Sequence, residues 1–118
     1  MTTKTLITAI LDDLSATLNQ VDDNQIKMLE TAILDANRIF VAGKGRTGLQ
    51  MRAFAMRLMH LGLVVHVVDD VTTPAIQADD LLIIGSGSGR TASLVRYVET
   101  VQSSGASLAT ITGNQVSP

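Results

Sequence analysis

The 118-residue chain contains no cysteine, which removes disulfides, thiolate metal ligation and a thiol nucleophile together. Its two histidines, His60 and His66, sit apart from any metal-ligand spacing, so no metal site is expected. Basic residues do not outnumber acidic ones, nine Lys and Arg against eleven Asp and Glu, and the few aromatics do not cluster; nucleic acid is not an expected partner. The N-terminal segment MTTKTLITAILDDLSATL lacks the continuous apolar core of a signal peptide, being interrupted by Asp12 and Asp13, so a cytoplasmic protein with no membrane partner is expected. The P-loop pattern GxxxxGK[ST] is missing as well, which argues against a nucleoside triphosphate.

What the chain does have is centred on Leu81 to Thr91, LLIIGSGSGRT. The uninterrupted run Leu81, Leu82, Ile83, Ile84 reads as a strand buried on both faces. From Thr91 to Ser104, Leu94, Val98 and Val101 recur at the spacing of an amphipathic helix. Between them lies Gly85-Ser86-Gly87-Ser88-Gly89-Arg90-Thr91. Glycines admit close backbone approach, the helix start offers unpaired amides, and the helix dipole favours negative charge there. A plain turn with Ser88 or Thr91 as helix cap is the alternative. The flanking strand and helix favour a phosphate held by Ser86, Gly87, Ser88, Gly89, Arg90 and Thr91.

Taken in order, the chain opens with an amphipathic helix over Thr3 to Leu18, its stripe made by Ile7, Leu11, Leu14 and Leu18 and widened by Leu6 and Ile10. That stripe suits either its own domain or a neighbouring subunit. Asp22, with Gln25 three residues on, has the pattern of a capping box and begins a second helix ending near Asn37. Arg38 to Ala42 is the first strand. It runs into Gly43-Lys44-Gly45-Arg46-Thr47-Gly48 and a helix from Thr47 to about Leu61 that is apolar on nearly every side, as in a helix buried between layers or subunits. Gln50, Arg57 and His60 share one face of it, while Arg52 points elsewhere. Val64 to Val68 is expected to be a second fully buried strand, ending at Asp69 and Asp70. Thr72-Thr73-Pro74 turns the chain, Gly105 ends the last helix, and Leu108 to Thr112 forms a fourth strand.

Strands alternating with helices, and reading as continuous apolar runs, indicate an α/β fold: a parallel sheet in a three-layer sandwich, with helices preceding it at the N-terminus. A flavodoxin-like strand order, 2-1-3-4, would open a crevice between the carboxyl ends of strands 1 and 3 and bring the two glycine loops face to face. Thr47 and Arg46 would then lie near Ser86, Ser88 and Thr91. One rival reading starts from Gly43-x-Gly45-x-x-Gly48 with Asp69 about twenty residues on, the fingerprint of a dinucleotide-binding Rossmann domain. The crowded helix that follows, and the second, hydroxyl-rich loop, weigh against NAD.

At these residues the sequence resembles the sugar isomerase (SIS) domain family, in its 6-phospho-3-hexuloisomerase branch. The motifs are Gly43-Lys44-Gly45-Arg46-Thr47-Gly48, the helix Ala53 to Gly62 (AFAMRLMHLG), the turn Thr72-Thr73-Pro74-Ala75-Ile76, and Ser86-Gly87-Ser88-Gly89-Arg90-Thr91. The resemblance implies a single sugar-phosphate-binding domain over residues 1–118, with a helical segment over 1–37 and a βα core over 38–118 that lacks the family's last strand and helix. It implies a metal-free, cofactor-free interconversion of 3-hexulose 6-phosphate and fructose 6-phosphate, in the ribulose monophosphate route, by a homotetramer. Thr47, where the family usually has serine, and Ser86 to Thr91 would hold the phosphate; Arg46 would contact the sugar and His60 is a candidate acid or base. Asp69-Asp70 departs from the family's usual Gly-Glu, and the glutamate expected to accept the proton lies in a segment beyond Asn114 that has no match here. A non-catalytic sugar-phosphate-binding module is therefore the alternative to an enzyme.

Overall fold

The computed structural model describes residues 2–86 and 92–112, the side chains of 92–94 excepted. The chain divides into two compact units, residues 1–31 and 32–118. In the first, α1 (Thr3–Leu18) is capped by Thr2, whose hydroxyl accepts from the Thr5 amide. The second helix, α2 (Asp23–Asp35), begins under the Asp22 carboxylate, which accepts from the Asn24 amide at 2.7 Å. Neither helix contains a buried residue.

The second unit carries the sheet: β1 (Ile39–Ala42), α3 (Gly45–His60), β2 (Val65–Val67), β3 (Leu81–Ser86), α4 (Ala92–Ser104) and β4 (Ser107–Thr112). All pairings are parallel and the order is β2-β1-β3-β4, the arrangement expected from the sequence. Successive side chains leave opposite faces of a strand. Phe40, Ala42, Leu82 and Ile84 therefore face α4, where they pack with Val101, Val98 and Tyr97. Ile39, Val41, Leu81 and Ile83, all essentially inaccessible, face α3, whose buried residues are Met51, Ala55 and Leu58. Filling both faces explains why β1 and β3 are continuous apolar runs rather than alternating ones.

Four expectations need correction. The second strand is shorter than Val64 to Val68 and only half-buried, with Val64 exposed. Among the described residues it lies at the sheet edge, with β1 as its one neighbour. The third strand does not stop at Ile84: Gly85 and Ser86 continue it, paired with Ile111 and Thr112 of β4. And α3 is not buried all round, since Leu49, Met56 and Met59 on its outer face are exposed. Its start also comes two residues early, at Gly45, because Gly45 adopts φ +57 and turns the chain into the helix without a side-chain cap.

The N-terminal ends of the strands are tied by a buried ion pair. Arg38 binds Asp80 through two contacts, Nε to Oδ1 at 3.1 Å and Nη2 to Oδ2 at 2.7 Å, and donates a further bond to the Ala75 carbonyl. The Gln77 amide also donates to Asp80. Burial by itself would raise the Asp80 carboxyl, but the Arg38 guanidinium and the Gln77 amide outweigh it and hold the group below its ordinary value.

Candidate functional site

In an open parallel sheet, ligands settle at the carboxyl ends of the strands where the order reverses. Here that point lies between β1 and β3, because α3 returns the chain to β2 on one side of β1 while β3 lies on the other. Two chain segments meet there. Gly43 follows β1 and is crossed closely by Gly48: a Cβ on Gly48 would stand 2.7 Å from the Gly43 carbonyl oxygen. Across the sheet, a Cβ on Gly85 would lie 2.6 Å from Met51 Sδ and 3.0 Å from Thr47 Cγ2. Glycine at 85 thus lets the first turn of α3 settle directly on the end of β3, and places Thr47 beside the residue that precedes Ser86.

The start of α3 is open to an anion. Its cap residue, Lys44, makes no side-chain cap bond, and no acidic residue occupies its first turn. Unpaired amides and the positive end of the helix dipole are therefore left facing the crevice. Thr47 is half-buried at this end, Arg46 is exposed, and Ser86 is buried and has bonding partners. Gly87, Ser88, Gly89, Arg90 and Thr91 lie outside the described residues.

His60 is not with them. It is exposed at the opposite end of α3, thirteen residues beyond Thr47, or about 20 Å along the helix at 1.5 Å per residue. His66 is half-buried on β2, its ring 5.3 Å from that of Phe40, in keeping with a structural role. Arg52 turns toward Asp70, which it pairs with at 2.8 Å.

A cluster that sequence reasoning missed lies beside the crevice. Asp69, two residues past the end of β2, has φ +75. Its carboxylate accepts a hydrogen bond from the Tyr97 hydroxyl of α4 and pairs with Lys44 Nζ at 3.5 Å. The Lys44 ammonium also stands 5.8 Å from the centroid of the Tyr97 ring. Burial and then the Asp69 carboxylate push the Tyr97 phenol up, and the Tyr97 hydroxyl followed by Asp69 pushes the Lys44 ammonium up. Tyr97 is the chain's one tyrosine, set on the apolar stripe of α4. A half-buried phenol on an apolar stripe calls for a partner for its hydroxyl, and that was the signal available. Asp69 and Tyr97 line a hollow of about 270 Å³ floored by Phe40, Val68, Ile76 and Leu82. One carboxylate oxygen of Asp69, Oδ2, is shared by Lys44 and Tyr97.

Among the described residues, no group of three or more His, Cys, Asp or Glu side chains is placed to hold a metal ion. No helix there is long and apolar enough to cross a membrane.

Comparison with known proteins bears on the same region. A family model described as the SIS domain matches residues 32–118. A protein of Mycobacterium gastri named 3-hexulose-6-phosphate isomerase is 47% identical over 112 residues, covering 95% of this chain and 56% of that protein. One of the same name from Bacillus subtilis is 39% identical over 114 residues, covering 97% and 62% respectively. Among solved structures, a Methanococcus jannaschii protein superposes with a TM-score of 0.81 at 35% identity, over 92% of this chain and 66% of its own; its structure was taken to infer a molecular function of 3-hexulose-6-phosphate isomerase. The chain spans little more than half the length of the Mycobacterium gastri relative.

Proposed function

The chain belongs to the SIS domain family, and from that membership we propose that it binds a hexulose 6-phosphate and serves its isomerisation between the 3-hexulose and fructose forms. The observation that carries the reading is the meeting of Thr47 with Gly85 at the switch point, under the uncapped start of α3. The named relatives support the choice of substrate. In this reading the Thr47 hydroxyl, the first amides of α3, and Ser86 with Gly87, Ser88, Gly89, Arg90 and Thr91 hold the phosphate, and Arg46 reaches the sugar.

The reaction moves a carbonyl from C3 to C2. A base removes the proton from C2, an enediolate spreads the charge over O2 and O3, and the proton is delivered to C3. Hydrogen-bond donors aimed at O2 and O3 would lower the cost of that negative charge. The proton acceptor that the family resemblance assigns to a glutamate has no match within residues 1–118. His60, far along α3 from Thr47, would serve as acid or base only from a second copy of the chain. We therefore also propose a homo-oligomer, in which the exposed apolar face of α3 is covered.

The test is isothermal titration of the purified chain with fructose 6-phosphate, with NAD as control, beside an assay of 3-hexulose 6-phosphate turnover. Binding of the sugar phosphate but not NAD is expected. Thr47→Val, which removes one hydrogen bond to a charged group, should weaken it about tenfold or more. Turnover would make the chain an isomerase as it stands; binding without turnover would leave it a sugar-phosphate-binding module. Binding of NAD alone would overturn the reading.

A further inference from the structure

The cluster of Lys44, Asp69 and Tyr97 joins three separate pieces of the βα core. Lys44 belongs to the segment that crosses from β1 to α3, Asp69 to the end of β2, and Tyr97 to α4. The first and last of these are the two halves of the candidate phosphate site: Thr47 lies three residues after Lys44, and α4 follows β3 and Ser86.

Two features indicate a role beyond holding the fold together. Lys44 and Asp69 are largely exposed, with side chains 48% and 62% accessible, and an exposed ion pair adds little stability. Asp69 also occupies a left-handed backbone conformation that glycine adopts without strain and aspartate does not. Glycine is the residue that the family resemblance leads one to expect at this position. Aspartate here brings what glycine cannot, a carboxylate placed between Lys44 and the Tyr97 hydroxyl. Tyr97, packed against Phe40, Ala42 and Leu82, is anchored well enough to define that position.

We propose that Lys44, Asp69 and Tyr97 form a clamp that fixes the spacing between the β1–α3 segment and α4, so that Asp69 and Tyr97 are positioning residues for a phosphate bound between them. The proposal rests on the sugar-phosphate reading above and adds two residues that touch no part of the ligand. The Lys44 ammonium, like any lysine, is charged throughout the neutral range and so stays available to the Asp69 carboxylate.

The experiment titrates fructose 6-phosphate into the parent chain and into Tyr97→Phe, Asp69→Gly and Asp69→Asn, with thermal unfolding of each. Tyr97→Phe keeps the ring and loses the hydroxyl bond. Asp69→Gly relaxes the backbone and loses both contacts. Asp69→Asn keeps an acceptor for Tyr97. Affinity is expected to fall five- to tenfold in the first two and to recover to within about threefold of the parent in the third. The melting temperature of Asp69→Gly should be unchanged or higher, which a purely structural role would not allow alongside weaker binding. Parent-like affinity in both Tyr97→Phe and Asp69→Gly would overturn the clamp while leaving the sugar-phosphate reading intact. So would losses of affinity that merely track losses of melting temperature. A parent chain that binds no fructose 6-phosphate would bring down the reading, and the clamp with it.

Discussion

Gly48 occupies a position where a methyl group has no room. Its Cβ would come within 2.7 Å of the Gly43 carbonyl oxygen and 3.0 Å of the Gly43 carbonyl carbon, both backbone atoms that cannot rotate away. Gly48→Ala must therefore separate the two arms of the β1–α3 turn. It is expected to destabilise the chain by about 1–3 kcal/mol, the usual range for overpacking, and to weaken fructose 6-phosphate binding as well; thermal melts and titration read the two effects. Asp80 makes a different argument at the same scale. Because its carboxyl is held below the ordinary value, its contribution is complete above about pH 5, where the unfolded group is almost fully ionised, and is lost as pH falls through the folded value. Asp80→Ala strands Arg38 and should cost about 3 kcal/mol at pH 7, the low end for a broken buried pair because Arg38 keeps some water contact. Asp80→Asn keeps an acceptor for Gln77. Urea melts should show the gap between parent and Asp80→Asn narrowing from pH 7 to pH 3; a constant gap would mean that the ion pair does not carry the acid sensitivity.

At the scale of elements, what the sequence made legible follows from periodicity, and what it hid follows from long-range contact. The helix at Thr3–Leu18 is the one the stripe of Ile7, Leu11, Leu14 and Leu18 implies, and the apolar runs at 39–42 and 81–84 are strands covered on both faces. The parallel order came from the alternation of strand and helix. VVHVV misled because an edge strand of a parallel sheet and a central one are written in the same residues; only its single neighbour distinguishes it. The apolar helix at 45–60 misled in the same way, since composition cannot say which of its faces meets the sheet. For the site, the meeting of Thr47 with the end of the third strand was legible from two glycine loops and a strand order. The Lys44–Asp69–Tyr97 cluster was not, because its members are scattered over the sequence and no spacing rule joins them. Arg38 and Asp80, 42 residues apart, were invisible for the same reason.

At the scale of the whole molecule, the apolar surface left in contact with water is what remains to be accounted for. In the first unit, Leu6, Ile7, Ile10, Leu11, Leu14 and Leu18 are each about half exposed or more, along one helix with nothing buried. In the second, Leu49, Met56 and Met59 recur on the face of α3 turned away from the sheet, at 68%, 48% and 51% exposure. Contiguous apolar faces of this kind are uncommon on the surfaces of monomers and suit an interaction surface. At roughly 25 cal/mol per Å² of apolar area removed from water, covering a helical face of several such residues is a substantial driving force, though association must first offset lost rotational and translational freedom. The expected outcome is self-association that depends on the outer face of α3. A charge there would be desolvated on assembly but fully hydrated in a monomer, so Leu49→Glu with Met56→Glu should shift sedimentation toward the monomer while far-ultraviolet circular dichroism stays that of the parent. If His60 acts from a second copy, the same double substitution should abolish turnover in any preparation that shows it, yet leave fructose 6-phosphate binding at the Thr47 site within a few-fold of the parent. A parent chain that sediments as a monomer over a wide concentration range would contradict the assembly, and with it any part for His60 in the chemistry.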